Sequence, residues 1–289
     1  MRLLILSLVV SRAVGLSTTP DSGSLVRRAA ALRRKDVADF AAAADFAFDS
    51  LYTKGDERRG WSNWLLKERL MLGQYPHCQP AEPGPSAADA QAHLRRVLSA
   101  GVDCFVSLQD ELPPQDAAWP PEGVRLTDPA ARDSWPAPFV NYAADANQIA
   151  SELGVDPVTY LHVPIVDLSV PRSVDPLFVL LDQILAHYEG GGGSVYIHCW
   201  GGRGRAGLVG GCLLALFREE LDADAVLSTV QAAYDSRVGA AGMPSQLKRS
   251  PQTEAQRRFV RSIVSSFRAQ RRFDNDMEMV DAGMPRGFT

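Results

Sequence analysis

Residues 195–211 read VYIHCWGGRGRAGLVGG and carry the strongest structural signal in the sequence. An apolar run ends at His198 and Cys199, three glycines fall among the next five residues, and a second apolar run follows Arg205. This order predicts a buried strand, a tight turn and a helix over residues 205–217.

The turn has the composition of an anion-binding loop. Glycines at 201, 202 and 204 allow a sharp turn and let the main chain approach a ligand closely. A strand that turns directly into a helix points several backbone N–H groups into one concavity, and the helix N-terminus favours negative charge there. We therefore expect residues 199–205 to form a cup for an oxyanion.

Cys199 and Arg205 give this cup a chemical function. A thiol at its base is expected to ionise near neutral pH, and a guanidinium can hold two phosphate oxygens at once. A nucleophile, an amide cradle and a guanidinium together are typical of covalent phosphoryl transfer. The alternative is a buried cysteine beside an ordinary glycine turn.

The residues HCWGGRGRAG resemble the HCxxGxxR signature loop of the cysteine-dependent protein tyrosine and dual-specificity phosphatase superfamily. The resemblance covers roughly residues 61–271 and implies a phosphatase that needs no metal or cofactor. It implies that Cys199 is the nucleophile, and that His198 orients the loop and helps to keep Cys199 ionised. The phosphate-binding residues that it implies are Trp200, Gly201, Gly202, Arg203, Gly204 and Arg205, the last of which also stabilises the transition state.

A second segment, HVPIVDLSVP at residues 162–171, follows a predicted strand and is bracketed by Pro164 and Pro171. The prolines would stiffen a loop that moves as a unit. In the phosphatases that the chain resembles, an aspartate on such a loop protonates the leaving oxygen and then activates water, and Asp167 matches it here. The alternative is that Asp167 caps the turn into the next helix.

A third segment, SPQTEAQRRFV at residues 250–260, is similar to one that precedes the last helix of related phosphatases. There the second glutamine helps to position the hydrolytic water, and Gln256 is the corresponding residue. The spacing is equally explained by a helix N-terminus at which Thr253 is the cap and Gln256 completes a capping box.

Two positions in the loop depart from the family pattern. Ala206 stands where the family usually has Ser or Thr, whose hydroxyl hydrogen-bonds the cysteine sulfur and eases its departure in the second step. We therefore expect slow breakdown of the intermediate, or a different donor. Arg203 adds a second cation, which suits substrates with more than one phosphate, although solvation at the loop edge explains it as well.

Around this loop, apolar strand patterns alternate with helical ones. Strands are predicted at 70–75, 102–108, 160–165 and 195–198, and helices at 86–99, 141–153, 173–188, 205–217, 222–235 and 253–270. We expect an α/β fold in which helices flank a central, mostly parallel sheet, as a single phosphatase-like catalytic domain over residues 61–271. The Pro- and Asp-rich segment 113–138 predicts an exposed loop.

The ends of the chain are predicted to lie outside this domain. Residues 26–52 read as an Ala-rich amphipathic helix, residues 53–60 as a linker and residues 272–289 as a flexible tail. Residues 1–25 form a candidate targeting segment, and the Arg- and Ala-rich residues 25–35 resemble an organelle transit peptide. The sequence leaves targeting and a plain N-terminal helix open, and with them a cytoplasmic or an organelle location.

Composition excludes several classes of function. The net charge of −4 gives no reason to expect nucleic acid as a partner. The four cysteines show neither zinc-ligand spacing nor a disulfide framework, and the apolar N-terminal run is too short to span a membrane. Cys104 is either core filling or a partner for a protective disulfide with Cys199.

The leading hypothesis is a dual-specificity-like phosphatase that acts on a phosphorylated protein or a small phosphorylated substrate through a cysteinyl-phosphate. Ala206 favours an alternative, a weakly active phosphate-binding pseudophosphatase or adaptor. A rhodanese-like sulfurtransferase is a third hypothesis, against which Asp167 and Arg205 both count. Substrate choice among phosphotyrosine, phosphoserine or phosphothreonine, phosphoinositide and phosphoglucan stays open, as does the oligomeric state.

Overall fold

The computed structural model describes residues 19–35, 45–80, 84–126, 137–155 and 157–281. Its main sheet has five strands in the order β3-β4-β7-β5-β6, and β1 and β2 form a separate hairpin. The strand bounds are β1 Leu51–Lys54, β2 Glu57–Gly60, β3 Ser62–Leu66, β4 Leu70–Gly73, β5 Val102–Gln109, β6 Thr159–Ile165 and β7 Ser194–His198.

Seven α-helices accompany these strands in the part of the chain that the structure describes. Their bounds are α1 Ser22–Lys35, α2 Ala87–Ser99, α3 Ala143–Leu153, α4 Val174–Glu189, α5 Arg205–Phe217, α6 Ala223–Asp235 and α7 Glu254–Asp281. Helix α2 begins as predicted, because the Ser86 hydroxyl accepts from the Asp89 amide and the Asp89 carboxylate accepts from the Ser86 amide. None of the described helices has both the length and the apolar character that a membrane crossing requires.

The predicted mostly parallel sheet is confirmed. Strands β4, β7, β5 and β6 run parallel, and β3 pairs antiparallel with β4 at one edge. Every residue of β7 is buried, as expected for a central parallel strand that is covered on both faces.

The two faces of the sheet bury separate apolar cores. On β7, Val195 and Ile197 point into the core formed with α1, α4, α5, α6 and α7, whereas Tyr196 points into the core formed with α2 and α3. The alternation follows from the two-residue period of a strand. Both cores hold the parallel strands in register, which fixes where their carboxyl ends lie.

The carboxyl ends of four parallel strands meet at one edge of the sheet. Gln74 follows β4, Glu111 lies two residues after β5, Asp167 lies two residues after β6, and Cys199 follows β7 directly. Ligands of open α/β sheets bind at this edge, because the loops there converge while the helices cover the faces.

The prediction for residues 26–60 was wrong in its details. The described helix is α1, Ser22–Lys35, while residues 36–44 lie outside the described residues and residues 45–60 are not helical. The predicted linker is the β1–β2 hairpin, which turns at Gly55 with φ of +61°. Tertiary contacts hold it, since the Gly60 amide donates to the Val238 carbonyl and the Gln74 side chain donates to the Gly60 carbonyl.

The Arg- and Ala-rich stretch that resembles a transit peptide is part of the folded core. Leu25, Val26, Ala29 and Leu32 of α1 are buried in the core that contains α4, α5 and α7. Arg28 forms ion pairs with Asp182 and Glu189 of α4. Residues 1–18 of the candidate targeting segment lie outside the described residues.

The predicted C-terminal tail begins later than expected. Helix α7 continues to Asp281, through residues that the sequence reading assigned to the tail from 272 onward. Gln270 donates to Asp274 one helical turn later, and Arg27 of α1 pairs with the same carboxylate. Such pairs stabilise a helix that has left the apolar core.

Candidate active site

The loop after β7 turns directly into helix α5, as the sequence predicts. Cys199 is 3% exposed at its base, and Gly204 is the N-terminal cap of α5. The amide N–H groups of Gly201, Gly202, Arg203 and Gly204 donate to no described carbonyl or side chain. Backbone donors left unpaired beside a helix N-terminus favour an anionic ligand.

Gly202 shapes the loop from behind. Its φ is +67°, and a β-carbon there would lie 2.2 Å from the carbonyl carbon of Gly73. Any side chain would therefore push the loop away from β4. Gly202 does not line the cavity above Cys199, so its predicted place among the phosphate-binding residues is not seen at the cavity surface.

Arg205 is held by a carboxylate that the sequence reading missed. Its Nη1 lies 2.6 Å from Glu111 Oε2 and its Nη2 lies 2.9 Å from Glu111 Oε1, and Nη1 also donates to the Ile165 carbonyl at 3.0 Å. The side chain is 1% exposed. Its Nε makes no hydrogen bond to a described residue, so it is available to a ligand.

Burial and charge oppose each other in this pair. Burial alone would lower the pKa of Arg205, but the Glu111 hydrogen bond and the charges of Cys199 and Glu111 raise it. Burial alone would raise the pKa of Glu111, but the Arg205 guanidinium lowers it. Both groups are therefore charged, and the forked geometry fixes the plane of the guanidinium.

Asp167 lies beside the fork and contacts Arg205. Its Oδ1 is 3.0 Å from Arg205 Nη2, and its side chain is 56% exposed. Leu168 beside it has φ of 59°, the left-handed region that a branched apolar residue rarely adopts. The turn is closed by the Ser169 amide, which donates to the Val166 carbonyl. The predicted acid therefore lies on a tight, exposed turn that lines the same cavity as Cys199.

These groups open into one cavity of about 650 Å³. Of the predicted site residues, those that line it are Asp167, Cys199, Trp200, Gly201, Arg203, Gly204 and Arg205. Gly202, His198 and Gln256 lie behind its wall. The structure thus joins a buried cysteine, unpaired amides, a fixed guanidinium and a carboxylate, which is the chemical equipment of phosphoryl transfer.

Sequence comparisons agree with this geometry. Residues 139–260, a range that contains Asp167, Cys199 and Arg205, match the family described as Swiss Army Knife protein, DSP-PTPase phosphatase domain, PTP-SAK. A stretch of 59 residues is 41% identical to protein 067L of Invertebrate iridescent virus 3, which bears the name of a tyrosine phosphatase. Over residues 139–260 the chain thus matches the cysteine-dependent tyrosine and dual-specificity phosphatase superfamily.

The extent of these likenesses differs. The stretch that matches the viral protein is 20% of this chain and 25% of that protein's length. Among solved structures, the phosphatase domain is similar to Tk-PTP in its active form, with 19% identity over 76% of this chain and 99% of that one and a TM-score of 0.42. It is also similar to the kinase associated phosphatase, with 14% identity over 75% and 99% of the two chains and a TM-score of 0.46.

His198 supports the phosphatase loop without a charge. Its Nε2 lies 2.8 Å from the Tyr142 hydroxyl, and the ring is fully buried. Burial lowers the pKa of His198 to about 3. The ring is therefore neutral at physiological pH, so the expected help in keeping Cys199 ionised does not come from an imidazolium.

Gln256 forms the capping box with Thr253, which was the alternative to a role in positioning water. The side-chain oxygen Oε1 of Gln256 accepts from the backbone amide of Thr253, and the backbone amide of Gln256 donates to Thr253 Oγ1. Gln252, four residues earlier, lines the cavity instead, and its Oε1 accepts from Arg203 Nε at 3.2 Å. Of the two glutamines in this segment, Gln252 and not Gln256 therefore lines the cavity.

The side chains of Trp200 and Arg203 both reach the cavity. Trp200 lines it and packs edge-on against Phe139 at 5.3 Å between ring centroids. Arg203 also lines the cavity, where its Nε donates to Gln252 Oε1. The backbone carbonyl of Arg203 accepts from Ser250 Oγ. Arg203 is therefore not simply solvated at the loop edge.

Cys104 lies too far from Cys199 to form the protective disulfide that was one of its two interpretations. It pairs in register with Val195, four residues before Cys199 along the neighbouring strand. Four residues of a strand span about 13 Å, well beyond the reach of a disulfide. Burial raises the pKa of Cys104, as expected for a core thiol. Among the described residues, no cluster of His, Cys, Asp and Glu could hold a metal ion.

Proposed function

We propose that this chain hydrolyses phosphate monoesters through a cysteinyl-phosphate intermediate. The observation that carries the proposal is the meeting of Cys199, the loop residues Gly201, Arg203 and Gly204 with their unpaired amides, and the Glu111-held Arg205 in one cavity with Asp167. The family match over residues 139–260 supports the same chemistry.

In the first step, the thiolate of Cys199 attacks phosphorus and forms the S–P bond as the bond to the leaving oxygen breaks. Protonated Asp167 gives its proton to that oxygen, so that an alcohol or phenol leaves. The loop amides and the Nε and Nη2 of Arg205 stabilise the charge that spreads over the equatorial oxygens. Since Nη2 contacts Asp167 in this structure, phosphate binding would separate these two groups.

In the second step, water attacks phosphorus and the S–P bond breaks. The carboxylate of Asp167 takes the water proton, Cys199 leaves as thiolate and inorganic phosphate is released. Gln252 lines the cavity close to Arg203 and is placed to orient this water. Ala206 offers no hydroxyl to the sulfur, and none of the described hydroxyl groups donates to it.

The test is hydrolysis of para-nitrophenyl phosphate by the purified chain. Cys199→Ser should abolish turnover, and acid-quenched enzyme should carry one phosphoryl group on the peptide that contains Cys199. Cys212→Ala is the matched control, because Cys212 is a fully buried core thiol on α5. Equal activity of wild type and Cys199→Ser would sink the proposal.

A phosphate-binding pseudophosphatase is the second candidate, and Ala206 is the observation that favours it. Wild-type chain that binds orthophosphate and traps one phosphoryl group, but releases product only at the background rate, would support this candidate over turnover. Product release that continues at a steady rate for many turnovers after any burst would support the phosphatase proposal instead.

A further inference from the structure

The cavity above Cys199 holds far more positive charge than one phosphate needs. Its volume of about 650 Å³ is that of a site for a whole small molecule. Asp167 is its single acidic lining residue within the described chain. Five lining side chains are cationic, namely Lys54, Arg59, Arg203, Arg205 and Arg237.

Arg237 is a buried guanidinium that pairs with no carboxylate among the described residues. It is 6% exposed, and its partners are the neutral oxygens of Asn63, Leu72 and Gly202. Its Nη1 makes no hydrogen bond to a described residue. A charge buried without a partner is costly, and an anion bound nearby would offset that cost.

Arg59 of the β1–β2 hairpin is a second guanidinium with an unpaired donor. Its Nη1 donates to the Gly239 carbonyl at 2.5 Å and its Nη2 pairs with Glu57. Its Nε is buried and has no acceptor among the described residues. The hairpin is thereby fixed against the same 237–240 turn that carries Arg237.

Lys54 completes the group at the other strand of the hairpin. It lines the cavity and forms no salt bridge with a described residue. Lys54 can thus meet a ligand at the rim, Arg59 adds its unpaired Nε, and Arg237 supplies charge from behind the loop. None of the three is needed to hold the phosphate over Cys199, which the loop amides and Arg205 already contact in the proposed mechanism.

We propose that Lys54, Arg59 and Arg237 form a second anion subsite, and that the substrate is a small molecule with two phosphoryl groups. This inference rests on the proposed function, in which the loop of Cys199 binds the phosphate that is cleaved. The second phosphoryl group lies toward the hairpin, where the lysine and the guanidinium groups neutralise it. Substrate selection then depends on a hairpin outside the matched residues 139–260.

The test measures binding separately from turnover. Titration calorimetry with Cys199→Ser compares orthophosphate with pyrophosphate, and propanediol and hexanediol monophosphates with their bisphosphates. At least one bisphosphate should bind about tenfold or more tightly than its monophosphate, which is the contribution of one charge-assisted contact. Lys54→Ala and Arg59→Ala should each remove most of that ratio.

Arg58→Ala is the matched control, because Arg58 is exposed on β2 and does not line the cavity. It should leave the ratio unchanged. Equal affinity for monophosphates and bisphosphates, or a ratio that Lys54→Ala and Arg59→Ala do not alter, overturns the second subsite. In that case hydrolysis of para-nitrophenyl phosphate by wild type would still uphold the proposed function, whereas absence of both anion binding and hydrolysis would overturn the two together.

Discussion

The side-chain amide of Gln256 donates to the carbonyl oxygen of Ser169 at 2.9 Å, which joins helix α7 to the turn that carries Asp167. The oxygen of the same amide accepts from the backbone of Gln252 and Thr253 at 3.1 Å. Gln256 is fully buried. It therefore acts as a positioning residue, because it holds the turn of the proposed acid without contacting the cavity.

Gln256→Glu should separate this positioning from helix capping. The carboxylate can still accept from the Thr253 amide, but it cannot donate to Ser169. We expect kcat for aryl phosphates with poor leaving groups to fall about tenfold, and kcat for good leaving groups to change little, since only poor ones need the proton. The leaving-group dependence of the rate measures this.

Thr253→Ala is the control for Gln256→Glu. It removes the cap at Gln256 N and should lower the free energy of unfolding by about 1 kcal/mol. The leaving-group dependence should stay as in wild type. If both variants change it equally, the effect comes from the helix end and not from the Ser169 contact.

Glu111→Gln should weaken the phosphate site more than the fold. The amide can keep one hydrogen bond to Arg205 but loses the charge that fixes the fork. We expect kcat/KM to fall about a hundredfold and the free energy of unfolding to fall by about 1–3 kcal/mol. Asp110→Asn, at the exposed neighbouring position, should change neither quantity. Unaltered kcat/KM in Glu111→Gln would contradict the role of the fork.

The stability of the chain should decrease as the pH falls below neutrality. Burial lowers the pKa of His93 and of His198 to about 3, whereas both rings take up protons near pH 6.5 in the unfolded chain. The unfolded state therefore binds more protons below about pH 6.5, and the free energy of unfolding falls with pH from there down to about pH 3.

For these two rings the expected loss is about 2.7 kcal/mol between about pH 7.5 and about pH 5.5. Urea unfolding at the two pH values measures it. His93→Gln should halve that loss, since the Gln amide can replace the ring between Ser50 and Tyr196. A wild-type curve that is flat over this range would show that neither ring is kept neutral by burial.

Local sequence signals predicted the centre of the fold and failed where distant contacts decide the structure. The strand and helix around Cys199 follow from an apolar run and glycines that are adjacent in the chain. Glu111 gave no such signal, because its partner Arg205 is 94 residues away. It could have been found from topology, since it lies just beyond the end of the strand beside β7.

The predictions for the β1–β2 hairpin and for the end of α7 were wrong for a related reason. Strand β2 reads Glu-Arg-Arg-Gly, which has no apolar alternation, and its place is set by bonds to the 237–240 turn and to Gln74. Beyond residue 271 charged residues are frequent, and Phe273 and Met277 of helix α7 stay exposed, so the composition suggested a tail. Gln256 shows the opposite case, because a purely local capping box explained its spacing and concealed the contact with Ser169.

Ala206→Ser should speed the second chemical step. The new hydroxyl at the start of α5 can donate to the Cys199 sulfur and ease its departure as thiolate. We expect the pre-steady-state burst seen with a good leaving group to shrink and steady-state kcat to rise about tenfold. Stopped-flow measurement of phenol release gives both quantities. A burst of equal size in both proteins would mean that breakdown of the intermediate does not depend on this position.

Leu25→Ala should destabilise the domain although it lies far from the cavity. Leu25 of α1 is fully buried in the core with α4, α5 and α7, so its truncation should cost about 3 kcal/mol. Leu153→Ala, at a helix end where the side chain is 37% exposed, should cost less than about 1 kcal/mol. Urea unfolding compares the two variants.

The same packing limits where a targeting segment can end. Cleavage after Lys35 would remove the whole of α1 and expose the apolar surface that Leu25, Val26 and Leu32 cover. We therefore expect the N-terminus of the protein isolated from its native source to precede Ser22, and intact-mass measurement checks this. A mature chain that begins after Lys35 and remains as stable as the full chain would show that α1 is not part of the folded core.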